Sequence, residues 1–283
     1  MAENFYLPIG FKHNGKDVLE LPIAETGGEA EKIYTKRPST MKLHTWFAQV
    51  IAISVDSIAG EKISSEYQKQ EDKSIIPEAV KKIPFIDAGT LLIQIQRECW
   101  EGVIKDQKVT CSNCGSKLDA DIDLHKINVP TQKDQEREEK PIEEYSVSLP
   151  KTYEIKGMVK QMEEYEGFKF NRIKFRVATL GDAIKHEGIA KDELQFWRNI
   201  AFDTMLGLYY EDDKGVITEV PDGYITKRGK QLFTKDFNTP TLKEIRNGLQ
   251  KALPSAKFYY EEECPVCDTP TPFFASVSNF FSV

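Results

Sequence analysis

Hydrophobic and polar positions change their period several times along this chain, and the changes outline its elements. FYLPIGF (5–11) is followed by DVLELPI (17–23), which alternates apolar with polar residues, and His13-Asn14-Gly15-Lys16 lies between them. Strand-like runs on both sides of an Asn-Gly pair predict a β-hairpin. TGGEAEKIYTKR (26–37) predicts a short helical stretch after a Gly pair. In 39–60, Met41, Leu43, Trp46, Phe47, Val50, Ile51 and Val55 recur at helical spacing, with Ser39 or Thr40 as candidate caps. The polar run 61–74 is expected to be loop. The strongest helical pattern is 86–103. There Ala88, Leu91, Leu92, Ile95, Cys99 and Val103 share one face, Asp87 is a candidate N-cap, and Gly102 is placed to end the helix.

After that helix the period returns to two. An approach strand leads into Cys-Ser-Asn-Cys-Gly (111–115), and then Leu118, Ala120, Ile122 and Leu124 alternate with acids and a lysine. Residues 129–145 carry dense mixed charge without apolar periodicity, which predicts a solvated linker. It divides an N-terminal α+β half (1–128) from a C-terminal α+β half (146–283). The second half shows strand patterns at 145–157 and 168–179 and helices at about 180–187 and 191–210. A turn is expected at Asp222-Gly223, and a helix over 239–253 has Thr241 near its cap. A final strand runs into Glu-Cys-Pro-Val-Cys and an aromatic tail. The fold class expected is α+β, antiparallel strands with packed helices.

Candidate chemistry sits in the two C-x-x-C pairs, Cys111/Cys114 and Cys264/Cys267. Two intervening residues let one tight turn present both sulfurs to one ion, and zinc takes four thiolates tetrahedrally. The pairs are far apart compared with a compact zinc ribbon. Two alternatives to a shared zinc stay open: unmetallated knuckles with separately buried thiols, and a redox pair. Four thiolates close the coordination sphere, so a zinc held there is structural and staples the two halves together. Cys99 reads as core. Of His13, His44, His125 and His186, none has a paired spacing; His125 is either an exposed strand residue or a substitute ligand. Phe273, Phe274, Phe280 and Phe281 in the tail read either as packing beside the second knuckle or as an anchor for a partner.

Composition narrows the classes. The chain has 283 residues, 40% of them hydrophobic and 29% charged, enough for a sizeable core. Its formal net charge of −7 opposes a nucleic-acid partner, whose affinity rests on Lys and Arg neutralising phosphate. ITKRGKQLFTK (225–235), with Lys227, Arg228, Lys230 and Lys235, is the best candidate for the basic patch that the alternative, a zinc-ribbon nucleic-acid or polymerase-binding module, would require. No window predicts a membrane span, and the opening residues lack a secretory pattern, so a cytoplasmic setting is expected. There five cysteines point to metal or buried thiols. No phosphate-loop, dinucleotide or nucleophile-elbow motif is present, and no acid–base pair is arranged, so no enzyme activity is expected.

The chain resembles the T4-type phage baseplate proteins, the family typified by the baseplate hub assembly protein. The likeness begins at YLPIG (6–10) and DVLELPI. It strengthens over Asp87, Leu91, Leu92, Ile95, Arg97 and Gly102, and runs on through Cys111, Cys114, Gly115, Asp123 and Leu124. It continues at YSVSLPKTYEIKG and IKFRVATLGDA, and ends with Cys264, Cys267, Phe280 and Phe281. The ordered series spans nearly the whole chain. Two departures stand out: the family's C-P-x-C-G is split, the first pair lacking the Pro (CSNCG) and the second the Gly (CPVCD), and the helix carries Glu98-Cys99-Trp100 in place of a short Ser or Thr before an aromatic and Gly. The resemblance implies a non-enzymatic part of a contractile tail, within the baseplate hub or acting on it as a chaperone-like assembly factor. Its partners would be other baseplate and tail proteins, met in the host cytoplasm and kept in the virion.

Overall fold

The computed structural model describes residues 4–25, 28–35, 37, 40–130, 139–155, 165–222, 224, 232 and 237–274. The fold is α+β, and every sheet in the described residues is antiparallel. The chain divides into two compact units: Met1–Pro141 with Ser255–Val283, and Ile142–Pro254. The domain reading that carries the second half to residue 283 is therefore corrected. The chain leaves the first unit near the charged linker and re-enters it at Ser255, so the second cysteine pair belongs with the first.

In the first unit, strand β1 (Asn4–His13) pairs with β2 (Lys16–Pro22). Asn14 and Gly15 both take positive φ, 49° and 73°, the backbone that a two-residue hairpin turn needs. Helix α1 (Gly28–Thr35) precedes α2 (Leu43–Ser54). The N-cap of α2 is Lys42, with no side-chain cap hydrogen bond, so Thr40 is not the cap; Ser39 lies outside the described residues. The stretch 61–74, expected to be loop, holds strand β4 (Glu61–Lys62) and helix α3 (Ser64–Lys69), and β4 pairs with β3 (Ser57–Ile58), which lies within the run 39–60 read as helical. Lys73 Nζ donates to the carbonyls of Tyr67, Gln68 and Gln70, closing the α3 C-terminus. A short α4 (Glu78–Lys81) leads to α5 (Phe85–Cys99), which packs on β1 and α2.

Asp87 is not the cap of α5. Pro84 holds that position, and Asp87 is fully buried, accepting from Ile9 N (3.0 Å) and Gly10 N (2.8 Å). Two turns on, the Gln94 amide exchanges hydrogen bonds with both Tyr6 N and Tyr6 O at 2.8 Å. One helix face thus satisfies backbone groups of β1 that β2 does not reach, across the irregularity between Tyr6 and Phe11. Arg97 continues the pattern, its guanidinium donating to the carbonyls of Leu124 and Ile127. Val103 lies beyond the helix, in β5 (Val103–Thr110), which pairs with β6 (Lys117–Asp123).

The second unit is a four-stranded sheet ordered β10-β9-β8-β7, with β7 Glu144–Glu154, β8 Lys169–Arg176, β9 Met205–Glu211 and β10 Ile217–Glu219. Helix α6 (Leu180–Glu187) opens with a reciprocal capping box of Thr179 and Asp182. Helix α7 (Glu193–Thr204) ends where a longer helix was expected, and Met205–Glu211 is an inner strand between β8 and β10. Helix α8 (Thr239–Ala252) is capped by Asn238, whose side chain accepts from Thr241 N, so Thr241 sits near the cap as expected. Val147, Phe170, Ile173, Phe175, Leu208 and Ile245 are central to the core. The turn expected at Asp222-Gly223 involves Gly223, which lies outside the described residues, as do Lys227, Arg228, Lys230 and Lys235.

Candidate metal centre

Each cysteine pair caps a hairpin. The first links β5 to β6; the second links β11 (Tyr259–Glu263) to β12 (Pro270–Phe274). The two turns repeat one hydrogen-bond pattern. Cys111 N donates to Ser116 O and Gly115 N to Cys111 O, both at 3.0 Å. Both bonds recur in the second: Cys264 N donates to Thr269 O (3.0 Å) and Asp268 N to Cys264 O (2.8 Å). The residue after the second cysteine is left-handed in both, φ 71° at Gly115 and 55° at Asp268. This accounts for the missing Gly of CPVCD: aspartate is one of the few residues that tolerates that region.

The hairpins bring all four sulfurs within 4.8 Å of one another. Cys111 Sγ lies 3.7 Å from Cys267 Sγ, and Cys114 Sγ 3.8 Å from Cys264 Sγ. A tetrahedral zinc with sulfur at about 2.3 Å sets its ligands about 3.8 Å apart, so the donor set fits zinc in number, chemistry and spacing. The separations also exclude a disulfide, and all five cysteines are free. Cys111 and Cys264 are buried, Cys267 is partly so, and Cys114 faces solvent.

The knuckle backbone prepares the sulfurs for charge. The Cys114 N–H, the Thr271 hydroxyl and the Asn113 N–H hydrogen-bond Cys111, and together they lower its thiol to about 6. The Thr269 hydroxyl and N–H, with the Asn113 amide, lower Cys267. Cys264 receives the matching Val266 and Cys267 N–H groups, yet desolvation and the neighbouring sulfurs raise it to about 11. Such a set suits a cation. Zinc would hold all four as thiolates and displace the proton that Cys264 retains. Asn113 also ties the hairpins directly, its amide donating to Thr269 Oγ1 at 3.0 Å, and Ser116 Oγ sits 3.1 Å from Cys114 Sγ.

His125 is not in the cluster. It is exposed on the 3₁₀ turn Leu124–Lys126 and bonds Asp123 Oδ1 at 3.1 Å. Cys99 is only partly buried, and desolvation raises its thiol to about 11. The tail phenylalanines separate: Phe273 is buried and stacked on Tyr260 at 5.5 Å, whereas Phe274 is 65% exposed beside Tyr259. Phe280 and Phe281 lie outside the described residues. Asn113, Ser116, Thr269 and Thr271 were not singled out from sequence. A signal existed for two of them, since both knuckles read C-x-x-C-x-[Ser/Thr].

No helix among the described residues is long and apolar enough to cross a membrane. Comparison with known proteins gave no match: no protein-family model, no curated protein and no solved structure matches this chain.

Proposed function

We propose that the chain is a non-enzymatic structural or assembly component of a contractile phage-tail baseplate, stiffened by one structural zinc and binding other baseplate and tail proteins. The observation that carries this reading is the meeting of the two C-x-x-C pairs at one four-sulfur cluster. That cluster is the feature on which the ordered motif series, from YLPIG to the second pair, converges. Cys111, Cys114, Cys264 and Cys267 would hold the ion, and its charge would neutralise the thiolates and lock two hairpins distant in sequence. With four protein ligands no position is left for a water, which suits a scaffold.

The test has two stages on the purified native chain. Elemental analysis should give one zinc per chain, with four thiols becoming reactive on chelation. The chain should then co-sediment with tail proteins from contractile-tailed particles, and lose them on chelation. No zinc with four freely reactive thiols overturns the metal reading. A zinc-loaded chain that ignores tail proteins, and instead binds DNA with a steep salt dependence, overturns the baseplate reading in favour of a nucleic-acid module.

A further inference from the structure

We propose that the four-cysteine cluster is a redox relay in which hydrogen peroxide replaces the metal clamp with a disulfide between Cys114 and Cys264, so that the two hairpins stay joined when the ion is lost. The proposal rests on the zinc part of the reading above and not on the baseplate part. The four sulfurs do not face solvent alike. The first turn is exposed from Ser112 to Gly115, and Cys114 with it, whereas Cys111 and Cys264 are buried and Cys267 is partly covered. Hydrogen bonds from Thr269 and from the Asn113 amide to the Cys267 sulfur shield it further. A small oxidant arriving from solvent therefore meets Cys114 first. An accessible thiolate beside a second, resolving cysteine is the arrangement on which reversible thiol oxidation depends. Cys264 supplies the second: its Sγ lies 3.8 Å from Cys114 Sγ, across the two hairpins.

The chemistry balances in two steps. The Cys114 thiolate attacks one oxygen of the peroxide: an S–O bond forms, the O–O bond breaks, and hydroxide leaves, with Cys114 now a sulfenic acid. The Cys264 thiolate then attacks that sulfur: the S–S bond forms, the S–O bond breaks, and a second hydroxide leaves. Each sulfur has given up one electron, the peroxide has taken both, and two protons from solvent turn the hydroxides into water. Cys111 and Cys267 are then the thiolates left in the cluster, too few to close a four-ligand site, so the ion is no longer held. The direction of the pairing decides what the switch does. A bond inside one knuckle, from Cys111 to Cys114, would leave the hairpins unjoined. Cys114 and Cys264 are 150 positions apart, so their bond closes the same long loop that the ion closes. The chain thus has one clamp for reducing surroundings and another for oxidising ones.

The test adds hydrogen peroxide below stoichiometry to the full zinc-loaded chain, with a chromogenic chelator reporting free zinc and dimedone trapping sulfenic acid. Tryptic mass mapping locates the products, because the peptide 109–117 holds both cysteines of the first knuckle and 258–283 both of the second. Dimedone should label Cys114 ahead of the other four cysteines. Without dimedone, the two peptides should be joined through Cys114 and Cys264, with one zinc released per disulfide. Hydrogen-exchange protection at 264–269 should survive that loss of zinc, whereas chelation of the reduced chain removes it. A dithiol reductant with fresh zinc should restore the starting state. Zinc retained while peroxide is consumed, first labelling at another cysteine, or a disulfide other than Cys114–Cys264 overturns the proposal and leaves the metal reading standing. A chain that carries no zinc before peroxide is added overturns both.

Discussion

The two knuckles place different residues at one backbone position, and a pair of opposite substitutions reads that position directly. Gly115 and Asp268 are both left-handed, and each donates its N–H to the carbonyl of the first cysteine in its pair. A Cβ on Gly115 would have nothing within 4 Å, so Gly115→Ala introduces backbone strain without a clash. The left-handed region costs a non-glycine residue roughly 1–2 kcal/mol, and the stiffer unfolded chain offsets about 0.4–1 of that, leaving a loss of about 1 kcal/mol. Asp268→Gly should run the other way by about 0.5 kcal/mol, because aspartate already bears part of the strain. Each turn holds two metal ligands, so knuckle stability should appear in zinc affinity. A change of 1 kcal/mol is a factor of about five in the apparent dissociation constant. Competition against a chromogenic chelator at fixed pH measures it. Gly115→Ala should weaken zinc binding and Asp268→Gly should strengthen it slightly. If Gly115→Ala binds zinc as the native chain does, or if both variants weaken it equally, the argument from shared turn geometry is wrong.

Three further outcomes follow from named contacts. Asp87→Asn removes one of two acceptors facing Ile9 N and Gly10 N and turns an amide NH₂ toward a backbone donor, so thermal unfolding should report a loss of about 2–3 kcal/mol. Phe273→Ala empties a buried stacked position and should cost about 3–4 kcal/mol, whereas Phe274→Ala, at an exposed one, should stay within about 0.5 kcal/mol in the same denaturation assay. Desolvation alone would raise the Asp182 carboxyl, but the paired Arg176 guanidinium at 2.7 and 2.9 Å and the Thr179 N–H hold it below the usual range. A depressed folded-state value gives stability that is present above the unfolded value and lost as pH falls through the folded one. Stability of the native chain should therefore drop below about pH 4, and Asp182→Asn should flatten that drop.

The features legible from sequence are those whose cause is local. Asn14-Gly15 carries its own turn geometry, and each C-x-x-C is a knuckle by spacing alone. What escaped depends on partners distant in the chain. Asp87 looks like a cap in its own neighbourhood, yet its acceptors serve amides 77 and 78 positions away. Met205–Glu211 continues the apolar run of α7, and a short buried strand cannot be told from more helix by period. The charged stretch at 129–145 marks the exit from the first unit. No shift in composition marks the return at Ser255, and only the second cysteine pair hints that the chain has come back.

The long separation of the pairs is a smaller obstacle than it looks, and the sizes involved give one more test. Cys114 and Cys264 are 150 positions apart, about ten times the gap in a compact ribbon. Closure entropy grows only as the logarithm of length, so the tenfold excess costs about 2 kcal/mol, and closing the whole loop costs roughly 4–5. Zinc in small four-ligand sites supplies about 10–16 kcal/mol, which dominates either figure. The second hairpin has other ties to the first unit. Tyr260 Oη accepts from Asp123 N at 3.1 Å, Ala256 N donates to Thr90 Oγ1 at 3.3 Å, Lys126 pairs with Glu262, and Tyr260 and Phe273 are buried. Burying two such rings contributes about 3–6 kcal/mol, close to the cost of closing the loop. Without metal, docking of this hairpin should thus be nearly balanced. On chelation, hydrogen exchange should show residues 264–269 losing protection outright, while the amides of Tyr259–Glu263 keep an intermediate level. Full exchange at Tyr259–Glu263 would make the metal the sole clamp, and unchanged protection at 264–269 would mean that no metal had been holding the knuckles.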